Sequence, residues 1–304
     1  MEPLLVLIAL ALGALLAVQA GANVQLAGAM GSPIGASTAQ LALGTTVLVV
    51  LAAVVGTLGA VELIPGVEAW HLIGGLGSAL YISAGILLFP RLGALSAVGL
   101  FIAGQMLASL AVDGFGWLGV AAQPLGVAGV VGGLAVLGGA VLIARTGAGG
   151  VPLAHRPVWI GFALAAGGGL ALQGPINAQL RTDLDAPVTA GAFSFLVATA
   201  AMGVVLTAWQ AFTRSPRPHP PARSMPWWGW AGAFVGASYV TVVPLLIPEI
   251  GVAATIGLTV AGQQLASLAV DRFGLLRLPR RALTTQRKLG VLLLLAGVAL
   301  AQAT

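Results

Sequence analysis

The sequence predicts an all-α membrane protein of ten transmembrane helices, built as two inverted-topology five-helix repeats. Three observations predict it: an apolar composition, an internal duplication and a one-sided distribution of basic residues. Of the 304 residues 59% are hydrophobic and only 7% charged, against about 25% charged in a soluble globular domain. So few charges cannot cover the surface of a water-soluble fold this large. They cluster instead between apolar stretches of about 20 residues, the length that crosses a hydrocarbon layer about 30 Å thick at about 1.5 Å per residue. The runs are continuous rather than alternating, which selects helices over barrel strands.

The spans follow in order. The first, 4–26, begins beside the acidic Glu2, where a secretory leader carries a basic start, and it has a copy in mid-chain, so it is read as a helix and not a leader. Spans two to five are placed at 34–56, 70–90, 93–113 and 125–145. Trp70 opens span three as an interfacial anchor. Gly129 and Gly133 give span five a small-xxx-small face for close packing, either between the halves or in a homodimer. The second half gives 157–180, 187–212, 227–248, 251–271 and 287–303. Trp227, Trp228 and Trp230 anchor span eight, and Pro175 in span six and Pro244 in span eight are candidate hinges. The two repeat units are residues 1–150 and 151–304.

The duplication is explicit. AGQMLASLAVDGFG at 103–116 and AGQQLASLAVDRFG at 261–274 agree at twelve of fourteen positions, differing only at Met106/Gln264 and Gly114/Arg272. VQAGANVQL at 18–26 is similarly related to LQGPINAQL at 172–180, pairing Gln19, Asn23 and Gln25 with Gln173, Asn177 and Gln179. Five spans per unit is an odd number, so the copies must lie upside down relative to each other. The basic residues agree. With alternating spans, one side carries Arg91, Arg145, Arg156, Arg214, Arg217, Arg223, Arg272, Arg277, Arg280, Arg281, Arg287 and Lys288, and the other only Arg181. Because cytoplasmic loops collect Lys and Arg, both termini are expected outside the cytoplasm of a bacterial-type inner membrane.

The formal charge of +5 is therefore a topology signal, and no nucleic-acid partner is expected. Cysteine is absent and the three histidines, His71, His155 and His219, are scattered, which argues against metal sites, cofactors and enzyme chemistry. The candidate site is polar but uncharged. Gln105, Ser109 and Asp113 recur every four residues on span four, and Gln263, Ser267 and Asp271 repeat the stripe on span nine. Gln19 with Asn23, and Gln173 with Asn177, form similar pairs on spans one and six, while Tyr81, Ser238 and Tyr239 are further wall candidates. Such amides serve either as interhelical glue or as the lining of a shared cavity near the pseudo-two-fold axis. Asp113 and Asp271, at helix C-termini where the macrodipole opposes a carboxylate, are candidate coupling or gating groups, or else caps of the membrane boundary.

The string Gln173-Gly174-Pro175-Ile176-Asn177-Ala178-Gln179-Leu180, with the two GQxLASLAVDxFG strings, resembles the drug/metabolite transporter superfamily, and within it the YdcZ-like inner-membrane exporters. The resemblance implies that spans one, three, four, six, eight and nine line a central cavity and that the halves rock to give alternating access. It departs from the small multidrug exporters in lacking a glutamate in mid-span one. The expected function is secondary transport of a small organic solute, neutral, zwitterionic or amphipathic, with membrane lipids as the other partner. A lipid or lipid-linked-sugar flippase on the same fold, or a channel-like facilitator, is the alternative.

Overall fold

The computed structural model describes residues 3–119, 122, 126–145, 157–213, 218–220, 225–250 and 252–301. The side chains of Asp113, Ala144, Pro248, Val252, Ala253, Ala254 and Ala301 are outside that set, as are Arg156, Arg214, Arg217, Arg223 and His155 altogether. The boundary expected near 150 also falls outside it.

Ten α-helices are present among the described residues: α1 Pro3–Met30, α2 Pro33–Val54, α3 Gly75–Leu92, α4 Ala94–Phe115, α5 Val127–Arg145, α6 Pro157–Leu184, α7 Pro187–Thr213, α8 Ala231–Ile250, α9 Val252–Phe273 and α10 Thr285–Ala301. Each coincides with a predicted span. Spans three and eight begin a turn earlier as 3₁₀ segments, Ala69–Ile73 and Trp227–Trp230. A third 3₁₀ stretch, Leu58–Gly66, follows α2. By length and composition, seven helical segments suit a bilayer. The apolar part of α5, Val127–Ile143, is shorter, and α10 has 17 residues. Large apolar side chains such as Leu4, Leu7, Val54, Val204, Phe212 and Leu292 point outward, as a lipid-facing surface requires.

The two halves are not separate bodies. α1 packs on α9 and α6 on α4, α3 packs on α6 and α8 on α1, while α2 pairs with α7 and α5 with α10. Exchanging the repeats maps these pairs onto one another, the signature of a two-fold relation. Side-chain-free positions make the two long crossings possible. A Cβ at Gly13 would overlap the carbonyl oxygen of Thr259, and one at Gly262 that of Leu10. Their repeat mates do the same, Gly167 against Phe101 and Gly104 against Leu164. Backbones in contact gain dispersion where no hydrophobic force drives helices together.

The crossing directions establish the inversion. Met30 at the end of α1, Trp159 at the start of α6 and Gln210 near the end of α7 line one cavity, so α1 finishes where α6 begins. At the other end, His71 before α3 contacts Asp183 near the end of α6. There Thr189 Oγ1, at the start of α7, also donates to the Thr57 carbonyl just past α2 at 2.8 Å. We call these the basic end, which holds Arg91, Arg272, Arg280 and Arg281, and the acidic end, which holds Glu62, Glu68 and Asp183.

The glycines of span five turn inward. Gly129 and Gly133 face Leu110 of α4, and Gly132 and Gly139 lie against Gly297 and Gly290 of α10. Span five thus packs within its own half and against the other.

Candidate functional site

Amides on four repeat-related helices are buried inside the bundle, and those of α4 and α9 meet. Gln19, Asn23, Gln105, Gln173, Asn177 and Gln263 are each at most 3% exposed, an arrangement that is stable only where partners exist or a ligand supplies them. On one level, Gln263 Nε2 donates to the Tyr81 hydroxyl at 2.6 Å, and Gln105 Nε2 donates to Gln263 Oε1 at 3.4 Å. This chain links α3, α4 and α9, so it joins the two halves directly. Tyr239, the repeat mate of Tyr81, packs half-buried against the apolar cluster that contains Tyr81.

Two further groups, one around α1 and one around α6, lie toward opposite ends of the bundle, the first beside the start of α8 and the second beside the start of α3. Asn23 Nδ2 donates to Gln40 Oε1 at 3.4 Å, and Gln40 Nε2 donates to the Gly232 carbonyl at 3.0 Å. Glycine is required at that contact, since a Cβ at Gly232 would collide with Asn23 Oδ1, and one at its mate Gly74 with Asn177 Oδ1. Ser78 Oγ donates to Gln173 Oε1 at 2.8 Å. The position equivalent to Ser78 in the other half is Gly236, which lies against Gln19 and brings no hydroxyl. Gln19 Oε1 is buried without a protein donor, as are Asn23 Oδ1 and Asn177 Oδ1. Ser78→Ala is expected to orphan Gln173 Oε1 as well, lowering stability by about 1–3 kcal/mol in denaturant unfolding of the purified protein.

The other sequence-predicted residues divide. Ser267 is buried and donates back to the Gln264 carbonyl at 2.8 Å. Ser109 is half-buried with its hydroxyl unpartnered. Ser238 is not brought to the group: it is exposed and donates to the Phe234 carbonyl of its own helix at 2.9 Å. It lies one residue from Tyr239, about 100° around the helix, and so faces away. Pro175 is buried inside α6. The carbonyl of Pro244 receives Arg181 Nη1 at 2.9 Å, which replaces the helical N–H that Pro248, four residues on, cannot supply. Asp113 lies in α4 with its side chain outside the described residues.

Asp271 sits at the basic end, 2% exposed, with Oδ1 and Oδ2 accepting the backbone N–H groups of Ala94 and Leu95 at 3.1 and 3.3 Å. Arg287 Nη1 is 3.5 Å from it. The carboxylate at the end of α9, opposed by the dipole of its own helix, is thus spent on the N-terminus of α4, where the free N–H groups and the dipole favour it.

Three buried polar residues of this region escaped sequence reasoning. Gln40 and Ser78 complete the amide network, and Gln264, 0% exposed, has neither amide atom partnered. Gln40 carries the same signal that found the others, an amide in an apolar span. Gln264 was visible as the one polar difference from Met106 within the repeated string.

A sequence model of the family described as "Putative inner membrane exporter, YdcZ" matches the chain twice, over residues 4–142 and 158–300, one match per repeat. No curated protein matches. A solved crystal structure is 18% identical with a TM-score of 0.59, over 98% of this chain and 95% of that one, a likeness of fold.

Proposed function

We infer, from a chain that belongs to the YdcZ inner-membrane exporter family, how its transport proceeds. It is a multi-pass inner-membrane transporter. The solute is small and uncharged or zwitterionic, carries N–H or O–H donors, and crosses by alternating access of the two inverted repeats. The observation that carries this reading is a set of four buried amide oxygens without a protein donor, Gln19 Oε1, Asn23 Oδ1, Asn177 Oδ1 and Gln264 Oε1, on helices related by the inverted repeat, the region where such carriers place their sites. Among the described residues four amide acceptors lack a donor against one amide donor, Gln264 Nε2, lacking an acceptor, a balance that favours a donor-bearing solute. Among the described residues the buried ion pair Asp271–Arg287 belongs to the basic end, so a bare cation would find no counter-charge in the amide layer.

The basic end is taken as cytoplasmic, with both termini outside, on the bias of Lys and Arg. It holds a cavity of about 640 Å³ lined by Leu87, Arg91, Trp159, Leu206, Trp209 and His219 among others, with Arg91 stacked 4.8 Å above Trp159. At the acidic end, Ala60, Ile64 and Leu72 of the 3₁₀ segments, with Val67 between them, pack over Leu180, Leu184, Ala186 and Ala190. The conformation is accordingly read as closed outside and open inside, with Asp271 a latch of the inner end and Pro175 and Pro244 the bending points.

The chain has no cysteine, so single-cysteine labelling tests the state directly. In right-side-out vesicles, Leu87→Cys is expected to resist a membrane-impermeant maleimide and to react once the vesicles are inverted, at a rate slowed by transported solute. Glu62→Cys is expected to react from the outside. Equal labelling of Leu87→Cys from both faces, or none from either, would sink the alternating-access reading.

A further inference from the structure

The turn between α9 and α10 carries more positive charge than the fold of that turn uses. Between Asp271 and Lys288 lie six basic residues, Arg272, Arg277, Arg280, Arg281, Arg287 and Lys288, against one acid, so this segment alone holds a charge of +5, equal to that of the whole chain. The repeat supplies an internal control. Gln25 Nε2 donates to the Leu276 carbonyl at 2.9 Å, and its mate Gln179 Nε2 to the Leu118 carbonyl at 3.4 Å. Leu276 and Leu118 both hold the left-handed region, at φ 57° and 56°. The same clamped turn therefore folds after α4, where Gly114, Gly119 and Ala122 stand at the positions of Arg272, Arg277 and Arg280. Arg277 even keeps φ 58° where its counterpart is Gly119 at φ 74°, a conformation that disfavours a side chain. Arginine there bears a backbone cost that glycine at the counterpart position avoids.

Two cavities flank the turn. One, about 310 Å³, is lined by Arg272, Phe273, Arg280, Arg281 and Ala282. The other, about 440 Å³, is lined by Val18, Trp228, Val270, Leu275 and Leu276, with Arg277 as its one basic residue. Arg281 Nη1 has no partner. Its Nη2 reaches the Pro90 carbonyl at 3.5 Å, and the guanidinium lies against Gly93, whose φ is 86°. Arg280 Nε donates to the Phe273 carbonyl at 3.2 Å, and Arg277 lies 5.9 Å over the Trp228 ring. A three-arginine cavity beside an apolar one, at the depth where helices leave the bilayer, is complementary to a phosphate with an acyl chain attached.

We propose that the α9–α10 turn binds an anionic phospholipid, its phosphate held by Arg272, Arg280 and Arg281 and part of its acyl chain lying in the Val18–Trp228–Leu276 groove. Guanidinium forks suit phosphate oxygens, and the anion offsets mutual repulsion among arginines that Asp271, already engaged by α4 and Arg287, does not neutralise. Because the same turn leads into Asp271, through the Arg281 N–H donated to the Asp271 carbonyl at 2.8 Å, the bound lipid steadies the inner end of α4 and α9.

The test uses the full chain in detergent, titrated separately with phosphatidylglycerol, phosphatidylcholine and inorganic phosphate and read by native mass spectrometry and thermal shift. Phosphatidylglycerol is expected to bind and raise the melting temperature, with phosphatidylcholine and phosphate inactive. Arg272→Gln combined with Arg280→Gln weakens that binding on the order of tenfold. Should this variant fold poorly, Arg280→Gln alone, with affinity falling as salt is added, gives the same decision. Equal effects of the two lipids, undiminished binding by the double variant, or an equal shift with millimolar phosphate would each overturn the proposal, the last by assigning the site to a soluble anion.

Discussion

Asn23→Ala combined with Asn177→Ala is expected to cut solute flux in proteoliposomes on the order of tenfold or more, since each removes a hydrogen bond worth about 1 kcal/mol to the bound solute. Both oxygens are buried and donorless, so the folded protein without solute carries their desolvation cost. Removing that cost offsets most of the packing lost. Asn23→Ala also leaves Gln40 Oε1 without its donor, so a modest fall in melting temperature is expected while transport falls far more. Ser238→Ala, on an exposed face of α8, leaves flux unchanged. A parallel collapse of stability and flux in the double variant would assign the two asparagines to structure instead.

Asp271→Ala is expected to have the largest effect on stability, a loss of about 3–5 kcal/mol, the magnitude found when one partner of a buried charge pair is removed. The N–H groups of Ala94 and Leu95 lose their acceptor together, and the Arg287 guanidinium, which also donates to the Ala282 carbonyl, loses its counter-charge. Asp271→Asn keeps an acceptor for the first turn of α4 but not the charge facing Arg287, so it falls between the two. Thermal unfolding measures the total, and hydrogen exchange at Ala94 and Leu95 localises it. Unaltered protection of those two amides would contradict the capping geometry.

Much of the architecture was legible in one dimension because the bilayer imposes a single rule, that each crossing is a helix of fixed length with its backbone bonds satisfied internally. The repeated strings marked which helices were equivalent, and the parity of five forced the inversion. The buried amides were legible by the same logic: Gln19, Asn23, Gln105, Gln173, Asn177 and Gln263 are polar in spans that exclude polarity, and all six are buried. Ser238 shows where that reasoning fails. A hydroxyl satisfies itself on its own helix carbonyl at i−4, so a serine in a span does not declare which way it faces, whereas an amide has no such local outlet.

What the sequence determined by itself was thus the number, order and opposed orientation of the helices and the chemical type of their interior. The tertiary structure decided which groups meet: that Ser78 satisfies Gln173 while Gly236 leaves Gln19 without a donor, that Asp271 serves α4 rather than its own helix, and that the arginines after α9 surround a cavity. Those outcomes depend on helix rotation and crossing distance. Both are set by where glycines let two backbones touch, and that is a property of pairs of helices far apart in the chain.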